Sequence, residues 1–331
     1  MTQHPIRIAL LDDYQNVALE MAPWDSLPEG VAVEAFNGLL GDEDRVAATL
    51  APFQVVMAMR ERTPFPRSLL ERLPELRLLA TSGMRNAAID LEAATALGIS
   101  VCGTQGGGVS TVELTWGLIL ALVRHIPAEH ERMRQGLWQA TLGMRLDGKT
   151  LGLIGLGNLG GQVAKVALAF GMEVLAWSQN LTEARAAECG AQLVELHELL
   201  GRSHVVSIHL KLGERSRGLL GAKELSRMRP GAVLINTSRG PIVVEDDLVA
   251  ALRQGAIAGA ALDVYDVEPL PADHPLRALD NVVLSPHLGY VTGDVYRLFY
   301  GQTCENIAAW LAGEPTRLLN PEVRENARPL P

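Results

Sequence analysis

Gly155-Leu156-Gly157-Asn158-Leu159-Gly160 spaces three glycines in the way a dinucleotide-binding turn requires. Gly155 permits a tight turn, Gly157 lets the backbone approach a pyrophosphate, and Gly160 allows a helix to pack closely on a strand. Asn158 and Leu159, inside the same turn, join the cofactor-facing set. Three polar signals follow, each at the end of an apolar run. Asn236-Thr237-Ser238-Arg239-Gly240-Pro241 closes the run Val233-Leu234-Ile235, and its Gly-Pro pair forces a turn that displays Arg239. A guanidinium there offers a rigid fork of donors matched to a carboxylate. Asp263 ends a second run, and Glu268 precedes Pro269, which biases it toward extended backbone. His287 follows Val282-Val283-Leu284 and comes just before Gly289, where a missing side chain lets a ring approach closely. Taken singly, Arg239 could be a surface or salt-bridged arginine and Glu268 a solvated acid, and a lone histidine such as His287 is more often structural than catalytic. Their order, each at a strand exit downstream of the glycine turn, points to one site.

The elements around the turn give it its meaning. Lys149–Ile154 reads as a buried strand, Gln162–Ala169 as a helix and Met172–Trp177 as the next strand. A helix N-terminus placed there offers amide hydrogens and partial positive charge to phosphates. The second strand ends at Trp177-Ser178-Gln179-Asn180, so Ser178 stands where an NAD enzyme places an acid for the adenosine ribose. Loss of that carboxylate removes repulsion against a 2′-phosphate, yet no arginine follows directly. Arg185 on the next helix and Lys211 in a strand-exit loop could supply the charge, or each could simply be solvated. NAD or NADP is therefore expected, with tolerance of both. Ser178, Gln179, His209 and Lys211 are placed on the cofactor side.

Alternating strands and helices run through the whole chain. Strands are expected at Ile6–Leu11, Val55–Met59, Leu76–Ala80 and Ile99–Val101, with helices around Glu43–Leu50 and Leu91–Leu97. The alternation implies parallel sheets covered by helices. Thr104–Gly108 reads as a crossing segment, and Ser110 or Thr111 as the cap of a long apolar helix over Val112–His125. Trp138–Gly148 is irregular. Beyond the glycine turn, strands are expected at Val205–His209, Ala232–Asn236, Gly259–Val264 and Val282–Leu284. Helices are expected at Thr182–Cys189, Leu196–Leu200, Ala222–Met228 and Glu245–Gln254. A last helix, Thr292–Ala312, and the tail behind it come after the nucleotide unit and are expected to return to the first one.

Bulk properties narrow the class. The 331 residues fit two domains; 48% are apolar and 20% charged, as in an ordered α/β protein. A net charge of −9 without a lysine/arginine run argues against nucleic acid. No apolar run is long enough to span a bilayer, and Met1-Thr2-Gln3-His4-Pro5 lacks the pattern of a secretory signal. The three cysteines Cys102, Cys189 and Cys304 have no ligand spacing, so no metal is expected and a reducing cytoplasm is the default.

The chain resembles the D-isomer-specific 2-hydroxyacid dehydrogenase family, which includes glycerate/hydroxypyruvate, formate and phosphoglycerate dehydrogenases. The resemblance covers nearly the whole length and is strongest in Leu151–Gly160, Asn236–Val243, Ala261–Leu270 and Ser285–Thr292. It implies two doubly wound α/β domains. A Rossmann cofactor domain of residues 105–296 would be inserted in a flavodoxin-like substrate domain of residues 1–104 and 297–331. It implies hydride transfer between NAD(P) and a small 2-hydroxy or 2-keto acid, glyoxylate or hydroxypyruvate being the better guesses. His287 would be the general acid/base, Glu268 its partner and Arg239 the carboxylate clamp. Thr111, Thr237, Ser238, Asp263 and Gly289 would border the cofactor. Ser82, Gly83 and Met84, in the turn after Thr81, would grip the substrate carboxylate, and Arg60 or Arg85 would read a second anionic group. A homodimer built through the Val112–His125 helix and the Trp138 region is also implied. The rival reading is a non-catalytic dinucleotide sensor of the co-repressor kind that binds protein partners. It would need the cofactor site but not all of Arg239, Glu268 and His287.

Overall fold

The computed structural model describes residues 5–106 and 108–329. The chain divides into two compact units, Met1–Gly107 with Thr292–Pro331, and Gly108–Val291. Gly107, in the expected crossing segment, and the first four residues lie outside the described residues.

The first unit is a five-stranded parallel sheet of β1 (Ile6–Leu10), β2 (Val31–Ala35), β3 (Val55–Ala58), β4 (Leu78–Thr81) and β5 (Ser100–Cys102). Its order, β2-β1-β3-β4-β5, is that of flavodoxin. Every residue of β3 and β4 is buried, because helices cover both faces of the sheet and only continuous apolar runs suit such strands. Asp42 and Asp90 start two covering helices by accepting hydrogen bonds from the Arg45 and Ala93 amides at 3.0 and 2.8 Å. The helix Gly293–Leu311 and the tail belong to this unit. Arg328 in the tail donates to the carbonyls of Leu73, Pro74, Leu76 and Leu97 at 2.7 to 3.1 Å, and Asn320 accepts from Val101 N at 2.8 Å.

The second unit holds seven parallel strands: β6 (Thr150–Ile154), β7 (Glu173–Trp177), β8 (Gln192–Leu193), β9 (Val205–Ile208), β10 (Val233–Asn236), β11 (Gly259–Leu262) and β12 (Val282–Leu284). Their order is β12-β11-β10-β9-β6-β7-β8, so the winding reverses between β6 and β9. Ile154 pairs with Ile208 and with Trp177, Asn236 with Ile208 and Leu262, and Leu262 with Leu284. The carboxyl ends therefore form one rim, the place where doubly wound sheets bind ligands.

Several expectations need correction. The edge strands β2 and β8 and the helices Arg67–Leu70 and Ile126–Arg134 were not anticipated. Ser110 and Thr111 do not cap the long helix. That helix is Val109–Val123, starting one residue after Gly108 and ending before His125, so both hydroxyl residues lie inside its first turn. Among the described residues no single helix is long and apolar enough to cross a membrane.

Candidate active site

Each glycine of the 155–160 turn meets a different demand. Gly155 has φ +103°, and a Cβ on it would stand 2.6 Å from the His209 carbonyl oxygen. Its amide donates to Trp177 O at 2.8 Å, tying the turn to the end of β7. A Cβ on Gly160 would stand 2.2 Å from Gly155 O, so only glycine lets the helix Asn158–Ala169 sit this close to the strand. Around Gly157 a Cβ would meet no protein atom within 4 Å. Gly157 caps the helix with no side chain on the first amides, leaving them to a ligand. This is an open, donor-rich cradle, and it fits a dinucleotide pyrophosphate. Asn158 is exposed and Leu159 half-buried beside it.

Next along the rim, β10 ends in a turn made by one side chain. Asn236 accepts from Ser238 N at 3.0 Å and donates to Arg239 O at 3.0 Å. Ser238 donates its hydroxyl to Leu210 O, and Arg239 Nη1 bonds Ser238 O at 2.8 Å. Thr237 is buried, its hydroxyl 2.9 Å from that of Thr115. The turn lies directly on the loop after β11, since a Cβ on Gly240 would come within 2.1 Å of the Tyr265 carbonyl carbon. Arg239 is thus one backbone layer from the segment that carries Glu268.

Glu268 and His287 are joined. His287 Nδ1 lies 2.5 Å from Glu268 Oε2, and Glu268 Oε1 accepts from Tyr265 N at 3.0 Å. The two side chains keep 22% and 33% of their accessibility, so the pair is not sealed from solvent while Nδ1 is committed to Glu268. His287 sits at φ 56°, a left-handed backbone that costs of the order of 1 kcal/mol and must be held from outside. Asp263 holds it. Its Oδ1 accepts from Leu288 N at 2.7 Å and Ser285 Oγ at 2.5 Å, while Oδ2 accepts from Gly289 N at 2.9 Å. Burial pushes the Asp263 carboxyl above the ordinary aspartate value, opposed by Ser285, Leu288 N, His287 and Gly289 N. From the other side, Ser110 and Thr111 donate to Gly289 O at 2.8 and 2.9 Å. Tyr265, its hydroxyl bridging Leu262 O and Ser285 O at 3.1 and 3.0 Å, links the exits of β11 and β12.

Several residues read from the sequence as cofactor-facing thus have structural contacts. Asp263 is 1% exposed with both oxygens engaged, so in this fold it anchors the His287 loop. His209 directs Nε2 to Ser207 Oγ at 2.9 Å, and desolvation drives its imidazole down to about 4. Ser178 is half-buried at the end of β7. Gln179 donates to Arg215 O at 3.0 Å, and Lys211 is exposed. In the first unit, Ser82 N donates to Ala58 O at 3.2 Å and Gly83 N to Thr104 Oγ1 at 2.8 Å, so those two amides are spoken for internally. Arg60 has φ 56°, and its Nη1 bonds Ser82 O at 3.1 Å so close to Gly83 that a Cβ there would clash. Met84 is exposed. Sequence reasoning missed Tyr265, Ser285, Asn236 and Arg215; the Ser-Pro and Asn-Thr-Ser runs at strand exits were the available signal for two of them. Among the described residues no three His, Cys, Asp or Glu side chains gather as a metal set.

The family model for the D-isomer specific 2-hydroxyacid dehydrogenase NAD binding domain matches residues 116–289. The chain belongs to that family. A glyoxylate reductase from Aeropyrum pernix is 40% identical over 272 residues, 79% of this chain and 81% of that protein. A hydroxypyruvate reductase from Blautia hydrogenotrophica is 30% identical over 326 residues, 95% of this chain and all of that one. The crystal structure of a phosphoglycerate oxidoreductase from Vibrio cholerae superposes with a TM-score of 0.88 at 35% identity, covering 93% and 99% of the two chains. The D-2-hydroxyacid dehydrogenase family uses NAD(P), and this chain is an oxidoreductase of that kind acting on a 2-hydroxy or 2-keto acid.

Proposed function

We propose that the enzyme interconverts a small D-2-hydroxy acid and its 2-keto acid, with glyoxylate or hydroxypyruvate as the keto substrate, using His287, Glu268 and Arg239. The bound nicotinamide supplies or accepts the hydride. In reduction, negative charge grows on the substrate carbonyl oxygen, and the protonated His287 gives it a proton from Nε2; in oxidation the same nitrogen takes the proton back. Glu268 fixes the ring orientation through Nδ1. Arg239 clamps the carboxylate and polarises the carbonyl. The observation that carries this reading is the 2.5 Å His287–Glu268 pair, which commits Nδ1 and leaves Nε2 for proton exchange.

A homodimer fits the exposed apolar side chains along residues 126–142, and a reducing cytoplasm fits three free cysteines, one of them (Cys102) pushed up to about 12 by burial. The test is His287→Asn. Turnover of glyoxylate and hydroxypyruvate should fall by at least ~10²-fold, the low end of general acid–base catalysis, while reduced-cofactor binding stays. Turnover at the wild-type rate would remove His287 from the mechanism.

A further inference from the structure

We propose that Ser178, Arg185 and Arg215 form a subsite for the 2′-phosphate of NADP(H), making the phosphorylated dinucleotide the preferred cofactor. This rests on the dehydrogenase reading and concerns only which nicotinamide cofactor it takes. In a fold of this kind the adenosine ribose lies between the glycine turn and the end of the second strand. Here β6 and β7 pair Ile154 with Trp177, and Gly155 N continues the ladder onto Trp177 O at 2.8 Å. Ser178 therefore stands beside Gly155, the first glycine of the turn, about 5 Å away across neighbouring strands.

Two guanidinium groups are held by the neighbours of Ser178, one on the glycine turn and one on Asn180. Arg185 reaches back from the helix Glu183–Glu188, placing Nε 3.4 Å from Leu156 O and Nη2 3.5 Å from Gly157 O. Its Nη1 pairs with Glu188 at 3.2 Å, both side chains being largely exposed. Such a pair is worth about 0–1 kcal/mol and gives way readily to a dianion. Arg215 arrives from the loop after β9, which Ser216 closes by donating to Lys211 O at 2.7 Å and accepting from Gly213 N at 2.9 Å. The Arg215 carbonyl accepts from Gln179 Nε2 at 3.0 Å. Its Nη2 donates to the Asn180 side-chain oxygen at 3.3 Å once that amide is oriented to satisfy both neighbours. Arg215 is thereby fixed on the two residues that follow Ser178, although it lies 37 positions further along the chain.

The chemistry selects against plain NAD as well. A ribose 2′-hydroxyl is recognised by an accepting carboxylate, and Ser178 offers none. A phosphomonoester dianion is recognised by hydroxyl donors and by the planar forks of arginine, both present here.

The test is binding, measured by calorimetry on the full-length protein with NADPH, NADH and adenosine 2′,5′-bisphosphate. NADPH should bind at least about tenfold tighter than NADH, the scale of one hydrogen bond to a charged group. Arg215→Ala should weaken NADPH and the bisphosphate about tenfold and shift NADH by less than about twofold, since the exposed side chain is remote from the pyrophosphate turn. Arg185→Ala should weaken NADPH similarly, a thermal melt guarding against a disturbed glycine turn. Ser178→Asp should reverse the preference. Equal affinities in the wild type, or an Arg215→Ala loss shared by both cofactors, would overturn the subsite. NADH bound and turned over with NADPH ignored would overturn the subsite alone. Neither cofactor binding would overturn the dehydrogenase reading with it.

Discussion

Asp263 shows how much of the site is spent on placing one ring. It reaches neither His287 Nδ1 nor Nε2 in any hydrogen bond, yet it takes the amides of Leu288 and Gly289 and the hydroxyl of Ser285, and so fixes a left-handed His287. Burial raises its carboxyl, which shows that solvation is sacrificed for that geometry. Asp263→Asn keeps the shape but replaces one accepting oxygen with an NH2 that faces donors. At least one of the three bonds is lost, at about 1–3 kcal/mol for a buried group left unmatched. The expected outcome is a fall in turnover of about 10- to 100-fold with cofactor affinity changed far less, because the pyrophosphate turn is on another strand. Equal losses in turnover and cofactor affinity would show that Asp263 serves the nucleotide instead. Glu268 occupies the complementary position, holding the ring from Nδ1 while Tyr265 N holds Glu268.

At the scale of elements, the glycine turn separates packing from binding. Gly160→Ala pushes a methyl into Gly155 O across a 2.2 Å gap, so the helix Asn158–Ala169 must lift off β6. Overpacking of this kind costs about 1–3 kcal/mol, and both the melting temperature and cofactor affinity should fall. Gly157→Ala adds a methyl into space that no protein atom fills. The melting temperature should hold while cofactor affinity drops by at least about tenfold, because the methyl occupies the pyrophosphate's approach. If Gly157→Ala bound cofactor normally, the cradle would have to be elsewhere. Legibility in the sequence followed the same divide. The fully buried strands β3, β4, β9 and β10 and the glycine turn could be read because burial imposes continuous apolar runs. The edge strand β2, Val-Ala-Val-Glu-Ala, has no fully buried residue and lacks that imprint. The helix Ile126–Arg134 likewise has none, so no apolar stripe announced it. Ser110 and Thr111 looked like caps because hydroxyl residues at a helix start usually are; here their partner is Gly289 O, 178 residues or more away, and no local pattern reveals that. Arg239, Glu268 and His287 were legible because each lies within a few residues of the end of an apolar run, whereas Tyr265 and Arg215 act through contacts only the fold creates.

For the molecule as a whole, the unburied apolar surface calls for a partner. Each unit closes its own core, yet Leu142 is 96% and Trp138 70% exposed, with Ile126, Met133 and Leu137 about half exposed on the same stretch of chain. Glu129 orders the stretch, accepting from Ala140 N, Thr141 N and Thr141 Oγ1 at 2.7 to 3.1 Å, so these side chains are presented rather than left to wander. Large exposed apolar side chains on one ordered segment mark an association surface. The proposed homodimer would set the same segment against itself across a two-fold axis. Light scattering on the purified protein should give a dimer mass, and Trp138→Glu with Leu142→Glu should shift it toward monomer. Burying about 1,600 Å² in total is ordinary for a stable pair, so the double variant should dissociate at micromolar concentration while each unit keeps its own fold. A monomer in the wild type would leave the segment without its proposed partner and assign it to something other than self-association.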